Sequence, residues 1–244
     1  AWELGYFGQN GWERIGGVGR VAATRELAIA NEAPALVPLG RLPSGPCVLY
    51  FVVSNHEYGH GGLWRPLEIA PSHEITRDFN QAFVMNVLVF STLFCAGVYH
   101  LLLGFLKGHD QASRFFAYLS LILMVRQGST GFGVISAWIS RDETWSYSFF
   151  QHLAFLSMIV VPIILNRYIN SLVPGLLPAF YVRAADIVFS GLMITTILLP
   201  LVYFVKVLPI FHVSVLVCAF YVLIRCVSAA LKGDWVLRLS LIHI

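Results

Sequence analysis

Phe83-Val-Met-Asn-Val-Leu-Val-Phe-Ser-Thr-Leu-Phe-Cys-Ala-Gly-Val-Tyr-His-Leu-Leu-Leu-Gly-Phe-Leu106 is a run of 24 residues without one charged side chain. Arg77 and Asp78 bound it upstream and Lys107 downstream. A bilayer core is about 30 Å thick, which a helix rising about 1.5 Å per residue crosses in about 20 residues. The run is therefore long enough to span with some tilt. Every backbone donor inside hydrocarbon needs a partner, and a helix supplies it internally. The β-branched and aromatic stretch Val87–Phe94, which would suit a strand in water, is accordingly expected to be helical.

Four further spans are expected downstream, at Phe115–Gly133, Phe149–Ile169, Ala184–Val205 and Val207–Val227. The breaks between them are Lys107-Gly-His-Asp110, Arg141-Asp-Glu143, Pro174 with Pro178, Lys206 with Pro209, and Lys232-Gly-Asp234. Trp138, Trp145, Tyr147, Tyr168, Tyr181 and Tyr203 stand near span ends, as interfacial anchors do. A soluble all-helical core is the alternative, but no soluble fold of this size covers five consecutive charge-poor segments.

The totals agree. Hydrophobic residues make up 57% of the 244-residue chain and charged ones 12%, with mean hydropathy +0.73. An ordinary soluble domain is about 45–50% apolar and about 25% charged. Residues 1–82 hold six of the sixteen Lys and Arg and eight of the thirteen Asp and Glu. That break in composition separates an outer soluble domain, 1–80, from a helix bundle, 83–238. Short-loop cations place Lys107, Arg114, Arg167, Arg183, Arg225 and Lys232 on one side against Arg77, Arg141 and Lys206 on the other. The bias puts the N-terminal domain outside.

The net charge of +3 is scattered and forms no basic tract, which excludes a nucleic-acid reading. Cys47, Cys95, Cys218 and Cys226 have no paired spacing, and the outer domain has only one of them. The closing Leu239-Ser-Leu-Ile-His-Ile244 matches one reading frame of a common transposase-type sequencing adapter. It is expected to be foreign to the protein (239–244), and both ends are expected to be truncations.

In the outer part, Cys47–Ser54 reads as a buried strand, with shorter strand-like pieces at Glu26–Ala30 and Leu67–Ala70. Dense Gly and Pro punctuation, including Gly16-Gly17 and Gly19, argues for part of an extracytoplasmic β-sandwich. The fold class is thus a polytopic α-helical membrane bundle with a partial N-terminal β-sandwich.

His56-Glu57-Tyr-Gly-His60 matches H-E-x-x-H, the zinc-protease signature. That chemistry needs a helix, so that both His share a face and Glu acts as base. Here the motif follows a strand, contains Gly59 and runs into Gly61-Gly62, and these glycines mark a turn. A strand-to-strand loop is the preferred reading, and His56, Glu57 and His60 are rejected as metal ligands. Gly17-Val-Gly19-Arg-Val-Ala22 matches G-x-G-x-x-A, but no clear strand precedes it and Pro34 interrupts any following helix. No cofactor is expected. Arg126 is a charge inside a span, followed by Gln127, Gly128, Ser129 and Thr130; a structural or snorkelling role is preferred to a ligand or signalling one. Asp186, near Arg183, reads as an interface charge. His100 and His152 read as hydrogen-bonded rather than as a relay. Cys95-Ala-Gly97 and Ser190-Gly191 suit close helix approach. No Ser/His/Asp grouping, carboxylate pair or phosphate loop marks an active site.

Gly97-Val-Tyr-His-Leu-Leu-Leu103 with Lys107-Gly-His-Asp110, Phe115-Phe-Ala-Tyr-Leu-Ser-Leu121 leading to Met124-Val-Arg126, and Leu153–Pro162 resemble the bacterial seven-transmembrane receptors with diverse intracellular signalling modules. Asn10-Gly-Trp-Glu-Arg-Ile-Gly16, and Val48–Asn55 with Tyr58-Gly-His-Gly-Gly-Leu-Trp64, are similar to the galactose-binding-like jelly roll often placed before such a bundle. The chain departs from that pattern in having five clear spans and no cytoplasmic output domain. The resemblance implies a truncated receptor of a bacterial inner membrane. It would pass an external small-molecule or carbohydrate signal to a kinase or diguanylate cyclase, and a homodimer is an expected partner state. Arg126, Trp12 and Trp64 are its candidate ligand-binding or signalling residues. A transporter or channel subunit, with broken helices and polar mid-depth groups, is the rival. A membrane-anchored zinc hydrolase is the second.

Overall fold

The computed structural model describes residues 1–8, 11–31, 35–40, 48–56, 67–108, 110–130, 134–135 and 144–231. They are mostly helical, with a small three-stranded sheet at the N-terminus. Two compact units are present. The first comprises Ala1–Phe90, Gln127–Leu153 and Leu201–Val205; the second comprises Ser91–Arg126, Ala154–Pro200 and Lys206–Ile244.

Strands β1 (Trp2–Gly8), β2 (Gly11–Val18) and β3 (Leu49–Val53) form an antiparallel sheet in the order β2-β1-β3. Side chains alternate across a strand, so Trp2, Leu4 and Tyr6 share one face. There Leu4 is buried, Trp2 stacks on Phe51 with ring centroids 5.0 Å apart, and the Tyr6 hydroxyl donates to the Glu13 carboxylate. The register shifts between Leu4 and Gly5, a bulge in the β1–β2 ladder. A Cβ on Gly16 would lie 2.6 Å from Val37 Cγ1, so glycine lets that side chain reach the backbone.

Strand β3 lies within the expected Cys47–Ser54 run, but it is not the buried strand expected: Leu49 and Phe51 are half-buried, and Tyr50, Val52 and Val53 are exposed. The pieces expected at Glu26–Ala30 and Leu67–Ala70 are not strands: residues 25–27 form a turn, Ile29 makes one isolated bridge to Arg20, and 67–70 are irregular. Hairpin β1–β2 is instead built from the glycine-rich stretch that reads as punctuation. Strand β2 runs into Gly17-Val18, so a strand does precede the G-x-G-x-x-A match, contrary to expectation; residues 20–31 contain no helix, and the match lacks the one a phosphate loop requires.

Helix α1 (Ser72–Leu106) is 35 residues long and starts eleven residues before the apolar run. Pro71 precedes it and its carbonyl accepts from the Glu74 and Ile75 amides, while Glu74 puts a negative charge in the first turn. At about 1.5 Å per residue it is roughly 52 Å long, well beyond one bilayer core. Next come α2 (Gln111–Ser129), α3 (Thr144–Leu172), α4 (Ala179–Leu198), the short α5 (Leu201–Phe204) and α6 (Leu208–Leu231). Pro162 lies inside α3, and α4 stops at Leu198, just before Pro200. In α5 and just after it, Leu201, Phe204 and Val205 are nearly fully buried.

Among the described residues, four helices are long and apolar enough to cross a membrane: α1, α3 from Tyr147, α4 and α6. Helix α2 covers most of the second expected span but carries Arg114 and Arg126 and is not among the four. Large apolar side chains lie exposed along these helices, as at Phe105, Ile187, Val217 and Ile224. That pattern suits an apolar solvent.

Candidate functional site

The three residues singled out for binding or signalling fall in different places. Trp12 lies on β2 in the face opposite Leu4. Its indole meets Phe7 at 5.6 Å and Tyr50 at 6.4 Å between ring centroids, and Phe7 meets Tyr50 at 5.3 Å, all edge-to-face. The register explains the group: Phe7 pairs with Trp12, and Gly5, two residues earlier on the same face, pairs with Tyr50. Gly5 is the floor. A Cβ there would lie 2.6 Å from Trp12 Cζ2, so the indole covers the glycine backbone. The rings remain open to solvent, with Phe7 65%, Trp12 37% and Tyr50 45% exposed. Glu3 and Arg14 pair at 3.5 Å on the same face. Exposed aromatic faces beside a charged pair can hold an apolar or carbohydrate surface and orient its polar groups. Phe7 and Tyr50 escaped the sequence reading; the period-two alternation of β1 and β3 was the available signal.

Trp64, Glu57 and His60 lie outside the described residues. His56 follows β3 in irregular backbone, and its Nε2 donates to the Ala22 carbonyl at 3.0 Å. Among the described residues, no three His, Cys, Asp or Glu side chains are grouped to hold a metal.

Arg126 is half-buried in the last turn of α2, where a cation complements the negative end of the helix dipole. No carboxylate lies within ion-pair distance of it among the described residues. Its neighbour carries the tertiary contact. Gln127 Nε2 donates to Asn86 Oδ1 of α1, and Asn86 Nδ2 donates to the Ala82 carbonyl at 2.8 Å. A Cβ on buried Gly128 would lie 2.6 Å from Ile135 Cδ1 and 2.9 Å from Phe90 Cε2, so glycine permits close approach. Two lone amides in apolar runs were the sequence signal for this clamp.

In the second unit, Arg167 of α3 donates to both oxygens of Asp186 of α4, at 3.1 and 2.7 Å. Asp186 therefore belongs to a cross-helix pair and is not held by its sequence neighbour Arg183. Arg225 Nε of α6 donates to the Leu176 carbonyl at 3.0 Å, and Tyr181 of α4 stacks on Tyr221 of α6 at 4.2 Å. His152 Nδ1 lies 2.7 Å from the Ser148 carbonyl, a bond within α3. His100 packs its ring on Phe116 at 4.5 Å, and its buried Nδ1 has no hydrogen-bond partner among the described residues. Cys95, Cys218 and Cys226 are free thiols.

Asp110 is the best-defined titratable group outside the apolar helices. It accepts from the Ser113 amide at 2.9 Å and the Ser113 hydroxyl at 2.7 Å, capping α2. These bonds favour the anion and hold its carboxyl below the usual aspartate range.

No protein-family model, curated protein or solved structure matches this chain.

Proposed function

We propose that the chain is the sensing and membrane part of a signalling receptor. Its N-terminal β domain lies outside the bilayer and takes a small molecule or carbohydrate on the Phe7–Trp12–Tyr50 face. The apolar helices pass the event to a cytoplasmic effector of the kinase or diguanylate-cyclase type. One observation carries this reading: α1 is a single helix from Ser72 to Leu106, polar at His73, Glu74, Arg77, Asp78, Asn80 and Gln81 and without a charged residue thereafter. A continuous helix couples water-facing and lipid-facing segments without a flexible joint. The Asn86–Gln127 and Arg167–Asp186 contacts are the sort of discrete interhelical bonds that can exist in two packings. A ligand moves such an equilibrium only through its differential affinity for the two states. The proposed setting is a bacterial inner membrane, with Arg126 at the end of α2 as a signalling residue. Against a transporter stands α3, which runs on through Pro162 without interruption.

The test is a saccharide and small-molecule panel against the chain in phosphatidylcholine liposomes, read by intrinsic fluorescence and by cross-linking between cysteines introduced on α1 and α2. A hit that W12A abolishes, and that alters this cross-linking while Trp12 is intact, supports the reading. Solute uptake by the liposomes, or a hit indifferent to W12A, defeats it.

A further inference from the structure

The chain's second unit gathers cations at one end. Helix α1 ends and α2 begins across residues 107–110, and Phe116 of α2 meets Tyr168 of α3 at 5.8 Å. Residues 173–178 join α3 to α4, and Leu176 in that turn packs with Ala230 and Cys226 near the end of α6. The two turns and the last turns of α6 are therefore neighbours. They carry Lys107, Arg114, Arg167, Arg183 and Arg225 against Asp110 and Asp186.

Both carboxylates are engaged. Asp186 is neutralised by Arg167, and Asp110 caps α2 through Ser113. Lys107, Arg114, Arg183 and Arg225 have no carboxylate within ion-pair distance among the described residues. Lys107 and Arg183 are exposed. Arg225 lies six residues before the end of α6, roughly 9 Å deep, and its side chain is long enough to snorkel. Its Nε is fixed on the Leu176 carbonyl, which leaves the outer guanidinium nitrogens for an anion. Arg183 stands near the N-terminal end of α4, where a cation opposes the helix dipole unless an anion offsets it; at the start of α2, beside Arg114, Asp110 already supplies that anion.

We infer that Lys107, Arg114, Arg183 and Arg225 form a docking surface for the phosphate headgroups of anionic phospholipids. Charge complementarity selects the partner: among the described residues, four cations with no carboxylate in ion-pair contact stand at the helix ends, where the nearest abundant anions are lipid phosphates. This inference rests on the membrane reading of the helices and is independent of the receptor reading.

The 244-residue chain is incorporated into nanodiscs of phosphatidylcholine with phosphatidylglycerol. It is then released into detergent, and the retained lipids are counted by native mass spectrometry. Phosphatidylglycerol is expected to be enriched over its share of the disc. Enrichment should fall roughly fivefold for each cation neutralised among K107Q, R114Q, R183Q and R225Q. R77Q, on the polar start of α1, should leave it unchanged. Retention of both lipids in bulk proportion by the unmodified chain overturns the inference without relying on any variant. So does enrichment that survives R183Q combined with R225Q. Failure to enter the disc at all defeats the membrane reading instead.

Discussion

Arg167 and Asp186 lie nineteen residues apart in the chain and meet face to face, two guanidinium nitrogens on two carboxylate oxygens at 3.1 and 2.7 Å. Such paired bonds fix distance and angle together. They tie α3 to α4 across a short turn. With the side chains 39% and 26% exposed, the pair lies between a surface bridge and a buried one.

Removing one partner leaves the other charge at the edge of an apolar bundle. R167A and D186A are each expected to cost on the order of 1–2 kcal/mol. The double variant R167A/D186A should cost less than the sum of the two single losses in a double-mutant cycle of thermal unfolding in detergent. Additive losses would mean that the pair contributes nothing.

The Gln127–Asn86 bond joins α1 and α2 inside the first unit. Interhelical polar bonds in membrane proteins average about 0.6 kcal/mol. Q127L should therefore destabilise by about that amount and loosen α1 against α2, read as altered cross-linking between cysteines placed on the two helices. N86L should do the same, and the double variant little more.

A Cβ on Gly97 would lie 2.7 Å from Leu121 Cγ, so α1 and α2 touch at a position where any side chain forces Leu121 to shift. G97L is expected to cost about 1–3 kcal/mol through overpacking. L121A should relieve part of it, and unfolding midpoints of the two single variants and the double variant decide.

Asp110 titrates lower in the folded chain than the unfolded value of about 3.9, so its capping contribution is fully present above that pH. The contribution is lost as pH falls through the lower folded value. Thermal midpoints of the unmodified chain should carry this acid-side loss; D110N, which still caps but does not titrate, should lack it. D110A should be less stable than D110N at neutral pH.

The long apolar helices were legible in advance, because a charge-free run of that length satisfies its own backbone as a helix. The run Phe83–Leu106 is such a segment. Strand β3 was legible for a similar reason, as a β-branched and aromatic run between breakers. The start of α1 at Ser72 was signalled by Pro71, Ser72 and Glu74 but masked by polar residues that contribute to no apolar stripe. Hairpin β1–β2 was hidden because its glycines resemble turn residues. Only in the folded sheet does Gly5 receive the indole of Trp12, and Gly16 the side chain of Val37.

Pairings were decided by tertiary structure. Nothing local distinguishes Arg167 from Arg183 as the partner of Asp186, since both are cations within reach of a helical turn or a hairpin. Geometry chose Arg167, because the α3–α4 turn brings two helix faces together at that level. In the same way register, and not composition, gathered Phe7, Trp12 and Tyr50. Sequence sets which solvent each segment tolerates; long-range packing sets which side chains meet, because contacts across helices and strands depend on turns whose angles no single residue specifies.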